Sequence, residues 1–410
     1  MAVDIETMRD LGKWERPVHR HASLADFLAT STLADGIHAI AYCGYYLELN
    51  LYRRASRAML IFFSAALSSR NEHLKLPVFS GASALKATDA SVLMVNDPGL
   101  YLDGEIRLAW YAGAAGMPLQ SDLGRVLRHA QEVLSIERMI LYGASGGGFA
   151  ALFYAPFLRN AIAVPCNPQI DLLAYSRHLL SKYLKAAYGY QGAPAAFIDA
   201  PLPWRPTVKL DASHLGDTRI VYLQNALDKT HLERHFQPFL KDFGIDRGKA
   251  LIEVHSGHQV SICSDGWGEG HRAAPGSFVY PLLHQLTQAD GWEKLPEFVP
   301  ELHAQTTNPI RQVSLTFDQN GFHVRVSLAD THAGGTLTVG LLREGVEIET
   351  LQIRDGEPGQ FTSQATAGEY CAQARVERPP RSWKERASAL LRKKRMYDEM
   401  KSRIVLVKAP

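Results

Sequence analysis

The chain has 410 residues, a formal net charge of +2, 46% hydrophobic and 21% charged residues. This is an ordinary globular composition, long enough for more than one domain, and it excludes disordered and collagen-like classes. No apolar run approaches the roughly 20 residues that span a bilayer.

In chain order, residues 1–37 are polar and mixed and read as an N-terminal arm. The opening "MAVDIETMRDLGKWERP" has no apolar stretch of the kind a secretory leader carries. "IHAIAYCGYYLELNLYRR" alternates like a pair of strands, and "AMLIFFSAA" and "ASVLMVND" are short apolar runs suited to strands buried on both faces. "SDLGRVLRHAQEVL" places Leu123, Val126, Leu127, Ala130 and Leu134 at helical spacing. "RMILYG" is a strand, followed by a glycine-rich turn and a helix. "AIAVPC", "TRIVYLQN" and "ALIEVHSGH" continue the strands. Between the first two lies a helical, proline-bearing insertion at about 170–206, longer than a crossover needs and read as a lid. Strands alternating with helices predict a mostly parallel, doubly wound α/β sheet over residues 38–295.

After the proline-rich "EKLPEFVPELHAQTTNPI", read as a linker, residues 311–378 show short alternating strands with turn signals. They predict a small C-terminal β-sandwich. Residues 379–410 read as a basic helical tail. From Arg375 to Pro410 the net charge is +8, which leaves −6 on the rest. Such a tail suits an anionic surface, whether the mildly acidic body of its own chain, a protein partner or the inner face of a membrane. No nucleic-acid motif accompanies the charge, so nucleic acid is not an expected partner. Cys43, Cys166, Cys263 and Cys371 are scattered, without C-x-x-C spacing, and read as reduced thiols of a cytoplasmic protein.

The chemistry concentrates in "ILYGASGGGFAAL" (140–152). Gly143-Ala144-Ser145-Gly146-Gly147 satisfies G-x-S-x-G between a strand and a helix, the setting of a nucleophile on a strained turn. The turn lifts the Ser145 hydroxyl above the sheet edge and aims the Gly146 N–H at the same space, half of an oxyanion hole. Gly146 through Ala151 also fits a dinucleotide fingerprint, with Asp171 as the ribose acid. That fingerprint belongs after the first strand of a sheet, however, and several strands precede this one.

A serine nucleophile needs a base and an orienting acid from later strand ends. Asp228 follows "RIVYLQN" and His258 follows "ALIEVH", in the order the fold expects, with His255 and His271 as competitors for the base. An aspartate at 228 also suits a helix N-cap. The second oxyanion donor is expected from the backbone of Ser64 or Ala65, after "MLIFF". His231 and His235 stand four apart on a helix, but Glu233 is misplaced for H-E-x-x-H. They read as exposed helix histidines, and no metal is expected. Trp204 could stack on a sugar or pack the lid.

"LYGASGGGFAAL", "YLQNALDKTHLERH" and "SGH" resemble α/β-hydrolase-fold serine enzymes. Within them they look most like bacterial glycan O-acetyltransferase-type proteins of capsule assembly and of the accessory Sec system. The resemblance covers about residues 40–290 and implies a triad of Ser145, Asp228 and His258. It implies an acyl-enzyme resolved by water in an esterase, or by a glycan hydroxyl in a transferase, with acetyl-CoA as the acyl donor in the second case. No other cofactor is implied. The alternative of another class is a non-catalytic scaffold in an envelope-glycan or secretion complex.

Overall fold

The computed structural model describes residues 5–70, 73–202, 204–246, 248, 250–306, 310–318, 321–328, 336–344, 346–354, 358–362, 368–378, 396–401 and 405–407. The chain forms two compact units, residues 1–263 with 270–299, and residues 264–269 with 300–410.

The first unit is built on one sheet of ten strands: β1 (Val18–His21), β2 (Gly36–Tyr42), β3 (Tyr45–Tyr52), β4 (Ala58–Phe63), β5 (Ser91–Val95), β6 (Arg138–Ala144), β7 (Ala161–Cys166), β8 (Arg219–Asn225), β9 (Ile252–Val254) and β10 (Gln259–Ser264). Their spatial order is β1-β2-β3-β5-β4-β6-β7-β8-β10-β9. The run β5-β4-β6-β7-β8 is parallel. Strand β3 is antiparallel to both of its neighbours, and β9 is antiparallel to β10. This is an α/β-hydrolase-like sheet. Its central strands are largely apolar because helices cover both faces, and every residue of β4, β5 and β7 is buried.

The helix Leu119–Val133 buries the face that its spacing predicts, with Leu123, Val126, Leu127 and Ala130 in the core. The N-terminal arm is drawn into the sheet: β1 pairs parallel to β2, and Phe27 is fully buried. The insertion between β7 and β8 carries the helix Arg177–Tyr188, capped by Ser176 and ended by Gly189 in the left-handed region. The expected linker is instead a helix, Leu295–Thr306. Pro296 falls in its first turn, where no N–H is needed. It persists past Pro300 because Leu295, Val299 and Leu302 form a buried stripe. Among the described residues no helix is long and apolar enough to cross a membrane.

The second unit holds β11 (Ile310–Asp318), β12 (Gly321–Leu328), β13 (Thr336–Arg343), β14 (Val346–Arg354), β15 (Pro358–Gln360), β16 (Gly368–Arg378), β17 (Met396–Lys401) and β18 (Val405–Val407). One sheet is β11-β12-β15 and the other is β14-β13-β16-β17, with β18 also on β16. Alternate residues Val313, Leu315, Phe322, Val324, Val326, Leu337, Val339, Leu341, Tyr370 and Ala372 share one core, the two-residue period of a β-sandwich. The helical reading of the tail is corrected here. Residues 396–401 and 405–407 are strands on β16, because an unpaired sheet edge offers backbone partners that override local helix propensity. Residues 379–395 lie outside the described residues.

Candidate active site

The elbow has the geometry its sequence demands. Ser145 sits at φ 54°, ψ −118°, between β6 and the helix Gly146–Tyr154. A non-glycine residue rarely adopts this backbone, and holding it there costs about 1–3 kcal/mol. The Ser145 N–H donates to Cys166 O at the end of β7 (2.9 Å), which anchors the turn. The flanking glycines permit close approach: a Cβ on Gly143 would run into the Gly147 carbonyl, and one on Gly147 would stand 2.5 Å from Phe63 O. Ser145 is 5% exposed. The Tyr175 side chain, from the insertion, lies beside it.

Parallel strands deliver their ends to one edge, and the remaining groups gather there. Asp228, just past β8, caps the following helix through the His231 N–H (3.2 Å). The N-cap reading of this residue thus describes a contact the structure holds. Its Oδ2 accepts a short hydrogen bond from His271 Nδ1 (2.6 Å). His231 Nδ1 approaches the same oxygen to 2.9 Å, off the line of a proper hydrogen bond. The His231 and His271 rings stack at 3.9 Å and 16°. Burial by itself would raise Asp228, but its contacts with His231 and His271 outweigh that and hold the carboxyl well below the usual range. Burial pulls His231 below the ordinary imidazole value, against the upward pull of Asp228.

His271 comes from the loop after β10, and two asparagines hold that loop. Asn167 Nδ2 donates to Arg272 O (2.7 Å), while Asn225 Nδ2 donates to Gly270 O (3.1 Å) and Arg272 O (3.2 Å). The residues on both sides of His271 are thus tied to the ends of β7 and β8. Gln169, also past β7, donates from Nε2 to Ser145 Oγ (2.8 Å), and the same nitrogen lies 2.9 Å from His231 Nε2.

Two expected assignments do not survive this geometry. His258 occupies the β9–β10 turn, where its carbonyl accepts from Ile220 N at the start of β8 (2.8 Å). That places it at the opposite edge of the sheet from Asp228, about 20 Å away along a seven-residue strand. The sequence reading took "ALIEVH" as a strand running with the others. It is instead an edge strand running backwards, and His255 is occupied there with Ser261 Oγ (2.7 Å). The histidines that the structure brings to Asp228 are His271 and His231. The Ser64 N–H is likewise committed, to the Tyr111 hydroxyl (2.7 Å), whereas Ala65 lies exposed beyond it and Gly146 opens the elbow helix.

His231 and His235 are buried, at 2% and 0% exposure, and are not surface histidines. One ligand atom each from Asp228, His231 and His271 falls within 4.8 Å of the others, a donor set with the spacing of a metal site. The hydrogen bonds oppose that use: Gln169 donates to His231 Nε2, which leaves the ring proton on Nδ1, the atom a metal would need bare. Asp171 accepts from Leu173 N (2.9 Å) as a local cap, not as a ribose acid, and Trp204 packs at 6.3 Å from Tyr188. Gln169 has no sequence signature. His271 had one, a lone histidine in the glycine-rich "GWGEGHRAAPG" after the last long strand.

No family model and no curated protein sequence matches the chain. Among solved structures it is similar to the capsule O-acetyltransferase of Neisseria meningitidis serogroup A, at 15% identity over 67% of this chain and 98% of that one, TM-score 0.41. It is similar to the Glycosylation Associate Protein (Gap123) complex from Streptococcus agalactiae, at 13% identity over 64% of this chain and 47% of that one, TM-score 0.41. It is also similar to the acetyl xylan esterase from Aspergillus awamori, at 10% identity over 58% and 95%, TM-score 0.35. Each is a likeness of backbone arrangement at low identity, and none assigns a residue here.

Proposed function

We propose that the chain is a serine acyl-ester enzyme working through an acyl-enzyme on Ser145. The observation that carries this is the strained Ser145 backbone at the same sheet edge as a carboxylate–histidine pair, Asp228–His271. Backbone strain of this kind clusters at active sites, and its coincidence with the carboxylate–histidine pair favours an enzyme over a non-catalytic scaffold. In the proposed cycle Ser145 Oγ attacks the acyl carbonyl and His271 Nε2 takes the hydroxyl proton. Asp228 holds His271 through Nδ1–H and stabilises the imidazolium. The Gly146 N–H, with that of Ala65 as second donor, binds the oxyanion. The imidazolium then protonates the leaving group, and the same histidine deprotonates the incoming acceptor.

The acceptor is water in an esterase and a glycan hydroxyl in an O-acetyltransferase. The second case takes a thioester donor such as acetyl-CoA as substrate. Both follow from one triad and differ in how well the acyl-enzyme is shielded from water. The test is reaction of the full-length protein with a fluorophosphonate probe, with mass spectrometry to locate the adduct. Modification at Ser145 supports the reading, and an unmodified Ser145 under conditions that label a control serine esterase overturns it. Comparing release of p-nitrophenol from its acetate ester with and without a glycan acceptor, and acetyl-CoA turnover alongside, separates hydrolysis from transfer.

A further inference from the structure

Gln169 has contacts that the cycle above does not use. Its side chain is fully buried, and its Oε1 accepts from the Trp110 indole N–H (3.1 Å). An indole N–H can only donate, so this contact settles which end of the amide is oxygen. The amide nitrogen must then face Ser145 Oγ and His231 Nε2, at 2.8 and 2.9 Å. It carries two hydrogens, and both are committed. Ser145 Oγ receives one of them, so its own hydrogen must point elsewhere. His231 Nε2 receives the other, so that nitrogen is bare and the ring proton sits on Nδ1, beside Asp228.

The anchor of this arrangement is itself held against strain. Trp110 and Tyr111 are consecutive bulky residues at φ 53° and 54°, a backbone that only a surrounding framework can enforce. The Tyr111 N–H donates to Asp97 Oδ2 (2.8 Å), and the Tyr154 hydroxyl donates to Tyr111 O (2.7 Å).

We infer that Gln169 is a positioning residue for the proposed acyl transfer, directing the Ser145 hydroxyl and keeping His231 uncharged beneath His271. This deepens the Ser145–His271 reading and rests on it. During attack His271 becomes an imidazolium, and a second cation stacked 3.9 Å away would oppose that step. The other groups facing His231 are Asp228 on its own helix, Tyr175 from the insertion (5.6 Å), and His235 one turn on (5.0 Å) with Arg234 beside it. Asp228 favours a proton on His231, but its oxygen already accepts from His271. The Gln169 N–H on Nε2 denies that proton a place.

The test is ring-nitrogen NMR of the histidines in the full chain, wild type against Gln169→Glu and Gln169→Met. Wild-type His231 is expected to stay neutral, protonated on Nδ1, from pH 8 to 5. Gln169→Glu keeps an acceptor for Trp110 but replaces the donor, so the proton moves onto Nε2. Gln169→Met removes the donor outright, so Nε2 is free to protonate. In either variant kcat on p-nitrophenyl acetate falls about tenfold at near-constant KM, the scale of one lost hydrogen bond. The acid limb of kcat moves to higher pH, because a second inactivating protonation adds to the first. A wild-type His231 protonated on Nε2 overturns the inference, as do two folded variants with wild-type kcat and acid limb. A purely structural glutamine would lower the folded fraction and leave the limb unmoved. The NMR measurement needs no turnover, so its outcome is separate from that of the fluorophosphonate probe, which reads the nucleophile alone.

Discussion

At the scale of single residues, the strained backbone at Ser145 sets the first prediction. Ser145→Ala should stay folded and lose probe labelling and turnover by roughly 10⁴-fold or more. Ser145→Gly should raise the melting temperature as well, because glycine relieves the left-handed backbone. Asp228→Asn should fold and lose about 10⁴-fold in turnover, since an amide cannot hold the imidazolium. His271→Ala should be comparably inactive, while His258→Ala should keep activity within about twofold, as a residue at the far sheet edge should. An inactive His258 variant beside an active His271 variant would reverse the assignment of the base. A second residue gives a pH signature. Glu48 is fully buried, and burial raises its carboxyl to about 7 despite Arg9, Tyr101 and Asn96. A carboxyl raised in the folded state holds a proton there that the unfolded chain releases. Its contribution to stability therefore grows as pH falls through about 7 towards its ordinary value. Melting curves from pH 8 to 5 should show this gain in the wild type, and Glu48→Gln should remove it.

At the scale of elements, the asparagine clasp on the His271 loop predicts what loosening that loop does. Asn225→Leu strips the side-chain hydrogen bonds from Gly270 O and Arg272 O, at about 1 kcal/mol each. It should speed amide exchange in the loop and lower kcat more than KM, with probe labelling of Ser145 slowed but present. Unchanged exchange across the loop would show that the clasp does not set its position. The same elements explain what the sequence could tell. The elbow was legible because three constraints coincide in five residues: a strand, a tight turn and close helix packing at Gly147. Asp228 was legible because it follows an apolar parallel strand directly. The base was not. Strand direction is set by which edge pairs with which, and "ALIEVH" reads identically whether it runs up or down the sheet. The tail was misread for a related reason: strand β17 exists because β16 offers an edge, and no local pattern in "MYDEMK" encodes that partner. Gln169 is invisible in sequence because its role depends on Trp110, 59 residues away.

At the scale of the whole molecule, charge and chemistry sit on different parts of the chain. The basic run Arg392-Lys393-Lys394-Arg395 lies in the +8 segment, and its contact with an anionic surface is a proposal from charge alone. Replacing those four residues with glutamine leaves β17 and β18 intact, unlike truncation. If the run contacts membranes, the full chain should pellet with anionic vesicles at low salt, less so as salt rises, and the variant should not. Equal pelleting of both proteins, or of neither, would end the membrane reading. The sheet itself has two edges with different duties. Ser145, Gln169, Asp228 and His271 all leave its carboxyl-end edge, and Gln169, Asp228 and His271 sit on separate loops beyond the strand ends. The β9–β10 turn at the other edge carries His258 and none of the reacting groups. A fluorophore, affinity tag or surface tether attached there would ride on the rigid frame, a strand's length from the proposed site, and would report on the protein without entering that site.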